Sequence, residues 1–325
     1  MRLLLTTIVL ALLAPLAPVL GQDKAEDTLA AVIAVQAKIQ ANARSADSLG
    51  TQRRGTGALI RDGYVLTIGY LVIEAESIHL TGADGRTVPA TVAAYDHASG
   101  LALLRVVGSL NARPLALGDS SALAEREPGL VIPAPSREAP TLVQVVSRRP
   151  FSGSWEYMLD SAIFTYPPVA DWSGAPLVGA RGELLGIGSL IVPDAGAPGT
   201  QSPGNMFVPV ELLKPILEEL IADGRRRGPA RPWLGVNADE FRGHLFVSRV
   251  SPDGPAERAG LRAGDIVVAV SGEHVSTLAE FYRRIWGRGG AGVEVPIRVL
   301  QGAQLREVSV RSIDRVDYFR ASKTY

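Results

Sequence analysis

The chain contains no cysteine. Disulfides are therefore excluded, and so is a lipid attached through a lipoprotein cysteine. Neither sign of charge is in excess: Lys plus Arg and Asp plus Glu number 33 each, so the formal net charge is zero. A neutral chain sets up no overall field toward nucleic acid or anionic lipid, and neither is expected as a partner. The short basic runs, Arg53-Arg54, Arg148-Arg149, Arg225 to Arg227 and Arg283-Arg284, are scattered and read as solvated loop charge. Histidine is scarce, and no His, Asp or Glu spacing resembles a metal site. Neither a metal nor another cofactor is expected.

Long apolar runs are missing too, with one exception at the start. Arg2 precedes an apolar stretch from Leu3 to Leu20 that contains Pro15 and Pro18. Val19-Leu20-Gly21 then offers the small or compact residues that signal peptidase reads, and cleavage would expose Gln22-Asp23-Lys24. The flanks favour an export signal at residues 1–21 over an anchor, with no stable span left after cleavage. An exported chain without cysteine fits a bacterial periplasm.

What is present is an ordinary globular balance, 46% apolar and 20% charged over 325 residues, enough for two or three compact units. Val32 to Ile39 reads as a first strand. From Gly55 the texture is all-β, with short β-branched runs at Ala58–Ile60, Tyr64–Thr67, Ser77–Leu80, Thr87–Ala93 and Leu101–Val106. Asp62-Gly63 and Ala83-Asp84-Gly85 supply hairpin signals. The spacing resumes at Gly129–Ala134, Thr141–Ser147, Ser161–Phe164, Pro176–Val178 and Glu183–Leu190. Two such sets predict two small antiparallel barrels, because closure removes exposed edges.

The period then changes. Val210 to Asp223 predicts one helix stopped by Gly224, and residues 223–231 read as a linker. A separate unit of about 80 residues follows, near a common size for small domains. Its strands are expected at His244–Val250, Asp265–Val270, Glu294–Leu300 and Leu305–Val310. Its helices are expected at Pro255–Ala259 and from Leu278 to Trp286, the latter opened by Thr277 and Glu280 at capping-box spacing.

Two blocks carry a resemblance. Asp171-Trp172-Ser173-Gly174-Ala175-Pro176-Leu177 resembles the nucleophile loop of a trypsin-type serine protease. Pro232-Trp233-Leu234-Gly235-Val236 resembles the carboxylate-binding loop of bacterial PDZ domains, where successive N–H groups accept a peptide's terminal carboxylate. Ala259-Gly260-Leu261-Arg262-Ala263-Gly264-Asp265-Ile266 matches a PDZ signature. With Gly55-Thr56-Gly57 and Asp62-Gly63-Tyr64-Val65-Leu66-Thr67, the chain is similar from Val32 to Val310 to the HtrA/Do family of exported serine proteases.

That resemblance implies a mainly β fold: a trypsin-like double six-stranded antiparallel β-barrel over 22–222, then an α+β PDZ domain over 232–313 and a tail over 314–325. It also implies where catalysis should sit, and there the chain departs. The family's catalytic histidine falls at Tyr70 and its aspartate at Gly100, while the serine falls at Ser173. A phenol, with a pKa near 10, is a weak base at neutral pH, and glycine orients nothing. Asp171 stands where the family has an oxyanion-hole glycine, and a carboxylate disfavours a developing anion. Ser173 has two readings, a tight structural turn or a residual nucleophile, and the missing base favours the first.

The expected function is therefore that of an exported pseudoprotease. Its PDZ domain would bind polypeptide segments or protein C-termini, as adaptor, holdase or regulator of active envelope proteases. The alternative is a serine endopeptidase with a non-standard base, His97 beside Asp96 being the candidate. In the PDZ reading, peptide contacts fall to Trp233, Leu234, Gly235 and Val236, with Phe281 and Ile285 lining the groove. HtrA relatives commonly trimerise through their N-terminal part, but here Asp27 to Arg53 has no aromatic residue, so oligomerisation stays open. The tail reads as a frayed end, or as a terminal Tyr325 carboxylate that docks in a PDZ groove.

Overall fold

The computed structural model describes residues 22–134 and 138–319. The expected signal at 1–21 and the Tyr325 terminus lie outside them. The described residues form two compact units, one of 22–149 and 161–226, the other of 150–160 and 227–319. Among them, no helix is long and apolar enough to cross a membrane.

The first unit holds both barrels. After helix α1 (Gln22–Ala30) come β1 (Val32–Ile39), a short helix α2 (Ala46–Leu49), β2 (Gln52–Arg61) and β3 (Tyr64–Ile68). β4 (Ala75–Thr81), β5 (Thr87–Asp96) and β6 (Leu101–Val106) complete the set. They close in the order β1-β2-β3-β6-β5-β4. The cause is visible along β1, where Val35, Ala37 and Ile39 are buried while Gln36 and Lys38 alternate outward. Burying one such aliphatic side chain contributes roughly 1.5–3 kcal/mol, and closure lets every strand do so without an open edge. The Asp62-Gly63 turn joins β2 to β3, with Gly63 at φ +76° as a tight hairpin requires.

The second barrel contains β7 (Pro128–Val131), β8 (Thr141–Gly153), β9 (Tyr157–Tyr166), β10 (Pro176–Val178), β11 (Leu184–Val192) and β12 (Gly204–Pro209). It closes as β10-β11-β12-β9-β8-β7. The helix expected over Val210–Asp223 is instead broken. A 3-10 turn at Val210–Leu212 is followed by α3 only at Leu217–Asp223. Pro215 explains the break, since it donates no N–H and biases Lys214 away from helix. The apolar stripe survives, with Val210, Leu213, Ile216 and Leu220 all buried. Gly224 ends α3 in the left-handed conformation at φ +70°.

In the second unit, β13 (Val236–Phe241), β14 (His244–Val250), β15 (Ile266–Val270), β17 (Glu294–Gln301) and β18 (Gln304–Arg311) form a sheet in the order β13-β14-β15-β17-β18. β16 (Glu273–His274) pairs with β15. Helices α4 (Pro255–Arg258) and α5 (Leu278–Trp286) pack on it, and α5 opens with the expected Thr277–Glu280 capping box. β13 is one of the two edge strands, β18 being the other. Asn237, Asp239 and Glu240 interrupt the apolar residues of β13, which hides it in the sequence. The end of the chain is not frayed over its described part. Asp314 caps α6 (Arg315–Tyr318), the Tyr318 ring packs 4.6 Å from Trp233, and its hydroxyl donates to the Pro252 carbonyl at 2.9 Å.

Candidate functional site

The Ser173 loop connects β9 to β10 and is held by backbone contacts. Thr56 N donates to the Ser173 carbonyl at 2.8 Å, and Gly174 N donates to the Gly188 carbonyl at 2.9 Å. Gly174 sits at φ +73°, and a Cβ there would lie 2.0 Å from Thr56 O. Only glycine fits such an approach. The small residues of this loop are thus explained by how closely it packs on β2 and β11. The Ser173 hydroxyl itself is buried and has no hydrogen-bond partner among the described residues.

Tyr70 occupies a 3-10 turn, Gly69–Leu71, immediately after β3. Its hydroxyl donates to the Ser189 carbonyl at 2.9 Å. Burial pushes this phenol up to about 12, against the weaker opposing influence of the nearby Ser173 hydroxyl and Trp172 indole. Trp172 Nε1 donates to the same Ser189 carbonyl at 3.2 Å. The two bulky residues flanking the serine position therefore converge on one acceptor in β11. They leave Ser173 beside a protonated phenol and without an imidazole acceptor.

Gly100 closes the turn between β5 and β6 at φ +78°, its carbonyl accepting from Gly69 N at 2.7 Å. It contributes backbone and nothing else. The candidate rescue pair is otherwise engaged. The buried Asp96 carboxylate accepts from the Ser99 hydroxyl at 2.6 Å and from Arg226 Nη2 at 3.0 Å, and the His97 ring packs 4.2 Å from Tyr95.

One residue that the sequence does not mark fixes the Tyr70 turn. Arg53, expected as solvated charge, is buried. Its Nη1 donates to the carbonyls of Tyr70 at 2.8 Å and Ile73 at 3.1 Å, and its Nη2 to the Ser45 hydroxyl at 2.8 Å. Burial lowers this guanidinium to about 10, partly offset by Glu74. Arg149 departs from the same expectation, with its guanidinium 4.0 Å over the Phe164 ring.

The second candidate site is the Trp233–Val236 loop. Trp233 exchanges backbone hydrogen bonds with Ile313, and Gly235 adopts φ +80°, where an added Cβ would lie 3.1 Å from the Ser251 Cβ. The amides of Leu234, Gly235 and Val236 all point at one carboxylate, that of Glu156. Gly235 N donates to Glu156 Oε1 at 2.6 Å, Val236 N to Oε1 at 2.8 Å and Leu234 N to Oε2 at 3.0 Å. Glu156 sits at the tip of the β8–β9 hairpin, in the stretch 150–160 that belongs to this second unit. Desolvation pushes its carboxyl up to about 7, against the three amides and Arg315, which favour the charge.

The hairpin backbone runs along β13. Ala238 N donates to the Ser154 carbonyl at 3.0 Å, and Tyr282 from α5 holds the hairpin tip, donating to Gly153 O at 2.6 Å and accepting from Glu156 N at 3.1 Å. Phe281 and Ile285, expected as groove lining, are fully buried in the hydrophobic core of this unit together with Met158. Trp155 and Tyr157, the neighbours of Glu156 in sequence, stack on each other with ring centroids 5.7 Å apart. The sequence marks neither Glu156 nor Tyr282 as a binding residue. The available signal is a dense aromatic cluster, Phe151, Trp155 and Tyr157, around one acid.

Comparison with known proteins agrees with this architecture. A trypsin-like peptidase domain profile matches residues 55–187, and a PDZ domain profile matches residues 246–299. A probable periplasmic serine protease do/HhoA-like from Haemophilus influenzae is 29% identical over 277 residues, covering 79% of this chain and 57% of the relative. A probable periplasmic serine endoprotease DegP-like from Halomonas elongata is 30% identical over 278 residues, 79% of this chain and 55% of the relative. The periplasmic pH-dependent serine endoprotease DegQ of Escherichia coli is 28% identical over 273 residues, 79% and 58%. The chain thus spans a little over half the length of these curated relatives. Among solved structures, the HtrA-type protease AlgW with tripeptide shares the fold with a TM-score of 0.54 at 21% identity, over 92% of this chain and 97% of that one.

Proposed function

Since the chain is HtrA/DegP-like, a trypsin-like serine-protease fold carrying a C-terminal PDZ domain, we propose that it binds polypeptide without cleaving it. The observation that supports this reading is the pair of donors on the Ser189 carbonyl. Tyr70 and Trp172 fill the place where Ser173 would need a base. A serine hydroxyl attacks only when a neighbour takes its proton. A phenol raised to about 12 is fully protonated at neutral pH and takes none. Removing single triad members commonly costs about four orders of magnitude in turnover, and here both helpers are replaced.

Binding would then fall to the PDZ domain, with an extended segment or a free C-terminus adding beside β13. The relatives are named as periplasmic proteases, and residues 1–21 read as an export signal, so an envelope location is part of the proposal. There the chain would serve as adaptor, holdase or regulator, active envelope proteases being one class of partner. The test is incubation of the purified chain with unfolded casein. Co-sedimentation of intact casein is expected. Casein fragmentation by the wild type that disappears in Ser173→Ala would replace this reading with the endopeptidase one.

A further inference from the structure

The PDZ loop is already engaged, by this chain. Three consecutive amides, Leu234, Gly235 and Val236, converge on Glu156, and the hairpin backbone at Ser154 pairs with β13 through Ala238 N. Resting on the reading of this domain as a peptide binder, we propose that the β8–β9 hairpin tip is a resident cis-ligand of the PDZ groove. In this arrangement the Glu156 side-chain carboxylate takes the position of a peptide's terminal carboxylate, and a free C-terminus must displace it.

Several independent features support that assignment. A terminal carboxylate is the chemistry such a run of N–H groups accepts, and Glu156 presents the same two oxygens on a side chain. The adjoining backbone supplies the added-strand contact that an extended peptide would make. Glu156 holds φ +55°, a conformation that non-glycine residues rarely adopt. Strain of this kind persists only where surrounding contacts over-determine it, and the contacts on Glu156 here are the three loop amides and the Tyr282 hydroxyl. The carboxylate is also nearly inaccessible, at 5% exposure for the residue. A buried carboxylate needs strong donors, and the loop amides are those donors.

Tethering sets the strength of the competition. A ligand held on a short connection has an effective concentration of roughly millimolar or more. A free peptide with micromolar affinity for the open groove therefore binds weakly while the hairpin is seated. Its apparent affinity is reduced by the fraction of molecules whose groove is open. Such a groove selects for C-termini whose last side chains make contacts the hairpin lacks.

The experiment compares the full chain with Glu156→Ala and with Glu156→Gln, which keeps the shape but sets an NH2 donor where Oε2 accepts from Leu234 N. Two readouts are taken. Hydrogen exchange at Leu234, Gly235 and Val236 reports on hairpin seating without any added peptide. Retention of a pool of octapeptides with free carboxylates, randomised at the last four positions, reports on groove availability, with the same pool amidated as control. The expected result is faster exchange at those three amides in both variants, unchanged protection of β17 and β18, and on the order of tenfold more free-carboxylate peptide retained than by the wild type. Equal retention by all three proteins overturns the cis-ligand while leaving peptide binding intact. Fast exchange in the variants with no retention of either pool removes the peptide-binding reading, and the competition with it. Should Glu156→Ala lose protection throughout the domain, the same criteria apply to Glu156→Gln.

Discussion

The Tyr70 hydroxyl donates a 2.9 Å hydrogen bond to the Ser189 carbonyl across the cleft between the two barrels. That bond commits the phenol, raised by burial to about 12, to a carbonyl beside Ser173, and on the proposed reading it takes no proton from the serine. Trp172, arriving from the serine loop, donates to the same carbonyl at 3.2 Å. The trypsin-like fold is retained here, and the proposed loss of cleavage rests on these two contacts.

If Ser173 is only a turn residue, removing its hydroxyl should be nearly harmless. The hydroxyl is buried without a hydrogen-bond partner among the described residues, so Ser173→Ala removes an unsatisfied polar group and is expected to change unfolding free energy by less than about 1 kcal/mol, in either direction. Gly174→Ala one position on should behave oppositely. Its Cβ would meet the Thr56 carbonyl at 2.0 Å from a φ of +73°, a loss of several kcal/mol. Urea denaturation of the two variants separates a structural loop from a reserved nucleophile.

Restoring histidine alone should not restore proteolysis. Tyr70→His supplies a base, but Gly100 offers no carboxylate to orient it. Casein cleavage by this variant is expected to stay at background. Adding Gly100→Asp imposes a side chain at φ +78°, which costs roughly 1–2 kcal/mol, and the midpoint of thermal unfolding should fall.

Arg53 is predicted to be a stability residue. Its guanidinium ties the Tyr70–Ile73 turn to Ser45, and truncation to alanine orphans buried carbonyls of both segments. Arg53→Ala is expected to cost about 3 kcal/mol, and Arg53→Lys to recover little, because a single ammonium cannot span the same fork of acceptors. Chemical denaturation of both variants gives the answer.

Seating of the hairpin should depend on pH with a definite sign. Glu156 is raised from an ordinary value near 4.5 to about 7 in the docked state, so that state binds its proton more readily than the undocked one. Docking is therefore favoured most below about pH 4.5, weakens as pH rises toward 7, and is flat above. The groups facing the carboxyl are the three loop amides, the Tyr282 hydroxyl and Arg315, with Asp239 acting on Tyr282. Protection factors at Leu234–Val236, corrected for intrinsic exchange, should be larger at pH 5.5 than at pH 8 and insensitive to pH in Glu156→Gln. Protection that grows with pH contradicts this sign.

The barrels are legible in the sequence because their strands obey a period of two and their turns carry glycine where φ is positive. The PDZ helix α5 is legible down to its cap, since Thr277 and Glu280 act locally. Legibility fails where long-range contacts decide. Pro215 splits a helix whose stripe looks continuous. β13 hides because an edge strand half covered by another segment needs no unbroken apolar pattern. Arg53 looks solvated because the carbonyls that bury it lie in a turn near Tyr70, and nothing adjacent in sequence announces them. The Glu156 contact joins residues 78 to 80 positions apart, and a lone glutamate carries no signal of its partner. Ser173 shows the converse: a motif conspicuous in sequence whose hydroxyl makes no hydrogen bond among the described residues.

The most direct test is labelling of the native chain with a fluorophosphonate probe, which bonds only to an activated serine. A chain that binds without cutting gives no adduct on the peptide containing Ser173, by mass spectrometry, across pH 6 to 9. A Ser173 adduct on the wild type would contradict that function and return the chain to the working endopeptidases.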